Sequence, residues 1–367
     1  MPVQQLYKAS RIFSGNTWLN DHVVVAENNI ITAVVPFSSI ADPASVQRFD
    51  NCILAPAFMD LQIYGAYGKL LSVFPETDAL YKLNDYCNKG GAVYCLPTVA
   101  TNTREVFINA IDAVKAYWKQ GGKGVLGLHL EGPWINPVKR GAHIEALIHS
   151  PTLAEVQELL DYGKGVIKMI TLAPEVCSKE ITDCILSYGI IISAGHSNAT
   201  YNQAKEGFAN GITTVTHLFN AMSPLQHREP GLAGAVMDDD KTFCSIIPDG
   251  FHVDYAAIRI AKQVMKERLF VITDAVTHTT EGYYKHAMSG DKYEAAGILS
   301  GSALTMIKAV RNLVDNNVTS LEEALRMCSL YPAQVMGMDK QLGRIEKGYE
   351  ASLVILNEQL ELVKLIN

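Results

Sequence analysis

Apolar, strand-like runs alternate with amphipathic, helix-like stretches for most of the chain, and this constrains the fold more than any other feature. The runs are CILAPAFMDLQI, GAVYCLPT, VLGLHLEG, VIKMITLAP, GIIISAGH, ITTVTHLF, FCSIIPDG and LFVITDA. Between them lie stretches such as TREVFINAIDAVKAYWKQ, SKEITDCILSYG and ATYNQAKEGFANG. Near-continuous apolar strands separated by helices predict a parallel sheet covered on both faces. About eight such units predict a closed α/β barrel of the (β/α)8, TIM type. A doubly wound open sheet is the competing architecture. Polar residues end many of the strands instead of gathering at one crevice, which favours the barrel. A chain of 367 residues, 48% hydrophobic and 19% charged, can bury a core of that size.

The flanks read differently. QQLYKASRIF, HVVVAENN and IITAVVPF near the start, and LGRIEKGYEASLVILNEQLELVKLIN at the end, are short strands with Asn, Gly and Ser turns. They predict a small β-sandwich built from both chain ends, residues 1–53 and 336–367, beside a catalytic barrel over 54–335.

Charge and cysteine usage exclude several function classes. The formal net charge is -7 and no basic patch stands out, so nucleic acid is not an expected partner. The start, MPVQQLYKASRIFSG, lacks the basic and apolar regions of a signal peptide, and no apolar run reaches membrane-spanning length. The 7 cysteines form no CxxC pair, and several sit inside apolar runs. That usage predicts a reducing, cytoplasmic setting and no cysteine metal site.

Chemistry concentrates at the strand ends. Glu131 closes one strand in HLEGPW, His196 another in SAGHSNAT, and His217 the next in TTVTHLFNAM. One carboxylate and two imidazoles are the ligand set of a catalytic divalent site with an open position. Any one alone is ordinarily a hydrogen-bonded structural residue, but three at successive junctions reverse that balance. Asp274 in VITDAVT is a turn or N-cap aspartate on the bland reading. On the functional one it is a general base for a water activated by the metal. Arg228, with His227 beside it, suits bidentate phosphate binding, against a plain surface pair with Glu229. His252 follows Asp249 and Gly250 in IIPDGFHVD, and Ser300–Gly301 reads as a turn whose backbone approaches a ligand, or as a helix cap. His129 should lie one layer below Glu131 as a supporting residue. His22, His149, His278 and His286 have no convincing context.

Taken together, HLEGPW, AGHSNAT, VTHLFNAM, REPGLAGA, DGFHVD, VITDA and LSGSALTMIKAVRNLV resemble, in order and over nearly the whole chain, the N-acetylglucosamine-6-phosphate deacetylase family of the amidohydrolase superfamily. The resemblance implies metal ligands at Glu131, His196 and His217, and a proton carrier at Asp274. It implies substrate contacts at Ala142, His143, Asn220, Ala221, Arg228, His252 and Leu299, Ser300 and Gly301, with His143 helping to stabilise the oxyanion. It also implies a homodimer in which His227 reaches the partner's phosphate site. Many amidohydrolases end the first barrel strand in His-x-His, which holds a second metal. Here Gln62 and Tyr64 stand at those positions, and PAFMD stands where PGFID is usual. A neutral amide and a protonated phenol are poor ligands, so one divalent ion per chain is expected, with zinc suited to the borderline donors. The expected reaction is metal-dependent release of acetate from N-acetylglucosamine 6-phosphate, a small-molecule substrate. The alternatives are another amidohydrolase, acting on a cyclic amide or a different N-acylated amino sugar, and a catalytically silent sugar-phosphate sensor.

Overall fold

The computed structural model describes residues 4–290, 292–295 and 297–367. It divides into two compact units. One comprises 60–86 and 94–304, and the other runs to Met59 and includes 87–93 and 305–367.

The larger unit is organised around eight strands: β1 (Phe58–Ile63), β2 (Ala92–Ala100), β3 (Leu128–Glu131), β4 (Ile167–Leu172), β5 (Ile191–Ala194), β6 (Thr214–Val215), β7 (Phe243–Ile246) and β8 (Leu269–Val271). They neighbour one another in sequence order, and the ladders from β2 to β8 are parallel. Just past β8 the ring closes on β1. Ile63 bridges Ala275 in parallel, Asp274 N donates to Gln62 O (2.9 Å) and Tyr64 N donates to Ala275 O (2.9 Å). Below this seam the buried Asp60 carboxylate accepts from Thr273 N (3.1 Å) and Thr273 Oγ1 (2.5 Å), so the closing strands are held by side chain as well as backbone.

The strands are buried along their length, as a parallel sheet covered on both faces requires. The helix predicted from TREVFINAIDAVKAYWKQ spans Arg104–Lys119. Thr103 caps it by accepting from Val106 N, and Phe107, Ala110, Ile111, Val114 and Tyr117 make its buried stripe. Thr152, Ser178 and Thr200 cap the helices at Leu153–Tyr162, Lys179–Ser187 and Tyr201–Ala209 in the same way.

The smaller unit carries a seven-stranded sheet drawn from both chain ends, and it realises the predicted small β domain. Leu362–Ile366 pairs with Leu353–Asn357, then follow Gln47–Pro56, Gln4–Phe13, His22–Glu27 and Ile30–Pro36, with Trp18–Leu19 attached to Gln4–Phe13. Val24 packs on one face with Ile12, Leu54 and Ile355, while Val23 and Val25 pack on the other with Leu6 and Val46. The run CILAPAFMDLQI, read as one strand, is two. Gln47–Pro56 belongs to this sheet and Phe58–Ile63 to the barrel, with the break at Pro56–Ala57. Proline lacks a backbone donor and marks where one ladder ends.

Candidate active site

Three site residues share an unusual backbone. His196 (φ 47°), His217 (φ 34°) and Asp274 (φ 53°) lie two or three residues beyond β5, β6 and β8, in the left-handed region that non-glycine residues rarely adopt. Glu131 ends β3 itself.

His196 Nε2, His217 Nε2 and Glu131 Oε1 form a nearly equilateral triangle. The imidazole nitrogens are 3.1 Å apart, and each is 3.2 Å from the carboxylate oxygen. Both Nδ1 atoms face backbone carbonyls, Lys139 O at 3.0 Å and Asn220 O at 3.1 Å. Those bonds fix the Nδ1–H tautomers and leave both Nε2 atoms as lone-pair donors. Two lone pairs and a carboxylate oxygen then converge, which is unfavourable unless a cation or a proton sits among them; burial lowers His217, but its contact with Glu131 outweighs this and raises it above the ordinary imidazole value. The spacing matches neighbouring ligands on a tetrahedral metal with bonds of about 2.0–2.1 Å. The residues therefore fit a divalent ion. Burial pushes His196 down to about 4, so its ring is a neutral donor at physiological pH. Burial alone would raise Glu131, but the imidazoles of His196, His143 and His217 hold it well below the usual carboxylate range.

Glu131, His143 and His196 also offer ligand atoms within 4.8 Å of one another. His143 differs from His217 in having ordinary partners. Its Nε2 is 3.1 Å from the second oxygen of Glu131, and its Nδ1 is 2.7 Å from Thr101 Oγ1. Thr101 approaches so closely because residue 132 is glycine, at φ +78°; a Cβ there would strike Thr101 Oγ1. His129 lies buried below, between Leu61 O (3.1 Å) and Thr171 Oγ1 (2.7 Å), in the supporting layer where the sequence places it.

Gln62 and Tyr64 join the two carboxylates. Gln62 Nε2 lies 3.0 Å from Glu131 Oε1, 2.9 Å from Asp274 Oδ1 and 2.7 Å from Tyr64 Oη. Tyr64 donates its hydroxyl to Glu131 Oε2. Burial, with the Glu131 charge next, raises the phenol well above its ordinary value, so it stays a donor. Burial also raises Asp274. Tyr64 and His143 thus meet Glu131 Oε2, while Oε1 faces His196 and His217, where a metal would sit, with Gln62 Nε2 beside it. Tyr64→Phe, which removes only that hydroxyl, is expected to weaken retention of a divalent ion by about 10–100-fold in chelator competition, the usual cost of losing a bond to a metal ligand. Unchanged retention would mean that Tyr64 does not position Glu131.

The site opens into a cavity of about 180 Å³. Glu131, His196, His217 and Asp274 line it, as do the predicted contacts Ala142, His143, Asn220, Ala221, His252, Leu299, Ser300 and Gly301. His252 is oriented by Asp249, whose Oδ2 is 2.7 Å from Nδ1. Ser300 and Gly301 form no turn. They lie in the strand Ile298–Ser302 of a three-stranded antiparallel sheet, because the segment pairs with Lys292–Ala295. Arg228 and His227 are exposed and absent from the lining. The surface pair with Glu229 does not form among the described residues. That carboxylate accepts instead from Tyr201 N (2.9 Å) and Gly231 N (3.3 Å). His286, for which the sequence offers no context, lines the cavity with Tyr284 and Ser72. Its only sequence signal is its place in YYKHAMSG, before a strand that pairs back toward Ser300.

The Amidohydrolase family model matches residues 53–365, and the NagA composite domain matches residues 8–50. Human N-acetylglucosamine-6-phosphate deacetylase is 36% identical over 376 residues, covering 95% of this chain and 91% of that protein. N-acetylgalactosamine-6-phosphate deacetylase of Escherichia coli O157:H7 is 32% identical, covering 96% of this chain and 95% of that one. The crystal structure of N-acetylglucosamine-6-phosphate deacetylase from Pasteurella multocida superposes with a TM-score of 0.93 at 32% identity, covering 99% of this chain and 98% of that one.

Proposed function

The chain belongs to the amidohydrolase family, and from that premise we propose that it hydrolyses the N-acetyl group of N-acetylglucosamine 6-phosphate, giving glucosamine 6-phosphate and acetate. The observation that carries this reading is the triangle of His196, His217 and Glu131 facing Asp274 in one cavity. A single divalent ion, with zinc as the choice, would be held by Glu131, His196 and His217. When bound, it would polarise the amide carbonyl and acidify a water.

Asp274 accepts the proton of the attacking water and returns it to the leaving nitrogen. Gln62 donates to Asp274 Oδ1 and so fixes its orientation while the other oxygen carries the proton. His143 Nε2, at the cavity wall, exchanges its contact with Glu131 Oε2 for the carbonyl oxygen as negative charge develops there. Asn220, Ala221, His252 and the Leu299–Gly301 strand hold the sugar. Arg228 holds the phosphate, far from the reacting centre, so its binding energy serves orientation.

The reading includes a homodimer in which His227, exposed like Arg228, would reach the partner's phosphate site. The free state of all seven cysteines supports a cytoplasmic setting. Among the described residues no helix is long and apolar enough to cross a membrane. The barrel is assigned to 54–335 and the small β domain to 1–53 and 336–367; the sheet built from both chain ends supports such a small domain, although its strand Gln47–Pro56 runs past 53 and 305–335 group with it.

The test is acetate release from a panel of N-acetylated sugars and their 6-phosphates, in both gluco and galacto configurations, alongside metal content. Turnover of the 6-phosphates with one tightly held ion per chain is expected. Equal activity on phosphorylated and unphosphorylated sugars would remove the phosphate assignment. Arg228→Met should chiefly raise KM for the phosphorylated sugar, because uniform binding is lost, with a smaller fall in kcat. An unchanged KM would take Arg228 out of the phosphate site.

A further inference from the structure

We propose that His286 is a specificity-determining residue that reads a ring hydroxyl of the amino sugar, an inference that rests on the proposed sugar-phosphate substrate. The residue stands where the chain enters the strand Ala287–Ser289, and three contacts fix it. Its carbonyl accepts from Thr279 N (3.1 Å), its Nδ1 lies 2.8 Å from Ser300 Oγ, and its ring stacks on Tyr284 at 6.2 Å and 8°. Tyr284 is anchored in turn, donating its hydroxyl to Thr101 O (2.6 Å). Thr101 also holds His143 Nδ1, so the wall that carries His286 continues from the wall that carries His143.

The side chain is buried, 3% exposed, yet it lines the cavity. Among the described residues its Nε2 has no hydrogen-bond partner. An imidazole nitrogen without a protein partner on a residue that lines a cavity ordinarily meets a ligand or water. The chemistry of the partner follows from the surroundings. Burial pushes His286 down to about 4, so the ring is neutral and gives one donor or one acceptor. Its neighbours at the wall, Tyr284 and Ser300, carry no positive charge. A phosphate or carboxylate would find no charge complement there, whereas a hydroxyl can donate or accept with equal ease. A site built to bond one hydroxyl rejects the analogue lacking it, because its own polar atom is then left unpaired.

The experiment compares kcat/KM for N-acetylglucosamine 6-phosphate and its 1-deoxy, 3-deoxy and 4-deoxy analogues. It uses the unmodified protein, His286→Phe and His286→Asn, all with equal metal content and melting temperature. His286→Phe keeps a ring to stack on Tyr284 and removes the nitrogen. It should lower kcat/KM on the parent sugar by about 10–100-fold. On one deoxy analogue, the one missing the bonded hydroxyl, the unmodified protein and His286→Phe should be equal within about twofold. His286→Asn should recover part of the loss on the parent. The same loss on the parent and on every analogue, or no loss on the parent, would overturn the assignment. If His286→Phe does not fold, the unmodified protein decides alone: no deoxy analogue weaker than the parent by more than about twofold overturns it. An unmodified protein that releases no acetate from the parent sugar phosphate overturns the functional reading, and the assignment with it.

Discussion

Asp274→Asn is expected to lower kcat by roughly 100-fold or more while leaving the fold and the bound metal in place, the scale of a lost general acid–base group. The substitution is mild on structural grounds. Asparagine has nearly the shape of aspartate, and it is among the few residues that tolerate the left-handed backbone found here (φ 53°). Its amide oxygen can still accept from Gln62, as Asp274 Oδ1 does at 2.9 Å. What it cannot do is take a proton from water and give it to an amine. A base works deprotonated, so the activity of the unmodified enzyme should fall as pH drops through the Asp274 pKa. Burial raises that value in the metal-free protein, and a bound cation draws it down. The residual activity of Asp274→Asn should lack this acidic limb. Steady-state rates at saturating substrate, with metal measured on the same samples, decide the matter. Near-normal kcat at full occupancy would mean that another residue is the base, with His143 and His252 the next to replace.

Glu131→Gln should strip the site. An outer bond to a ligand contributes about 10–100-fold to metal retention, so loss of the carboxylate proposed as the anionic ligand should exceed 100-fold. The neutral amide would also face Tyr64 and Gln62, two groups that now donate to the carboxylate. Its NH2 must meet at least one of them donor to donor, or turn toward the lone pairs of His196 and His217. Dialysis against a chelator followed by elemental analysis should find little metal in the variant. Acetate release should fall with it and return only in part at high added zinc. An unchanged single tight ion would transfer the ligand role to His143 with the other two histidines.

Much of this was legible in the chain. Glu131, His196, His217 and Asp274 each follow an apolar run directly, and in a parallel barrel all such positions face one end. The alternation therefore brings them together without any knowledge of contacts. Gln62 was legible only as a poor ligand. That it bonds Glu131 and Asp274 at once depends on β1 lying beside β8, and this closure has no local signal. The run CILAPAFMDLQI concealed a change of sheet, because both halves are apolar and only Pro56 marks the break. Ser300 and Gly301 suggested a turn on residue type, yet pairing with Lys292–Ala295 draws them into a strand. The same pairing brings Ser300 to His286, fourteen residues earlier, which no reading of spacing supplies.

The left-handed backbone at His196, His217 and Asp274 makes the active site a debit in the folding equilibrium. Each such residue costs on the order of 1–3 kcal/mol. Three together are a sizeable share of the roughly 5–15 kcal/mol by which a typical domain is stable. Two of the three are the residues proposed to hold the cation, so the backbone cost and the binding that would offset it fall on the same residues. A ligand that binds only the folded state returns stability by mass action. Folding and metal loading are then one coupled equilibrium. With an ion held as proposed, added metal should raise the melting temperature as well as the activity.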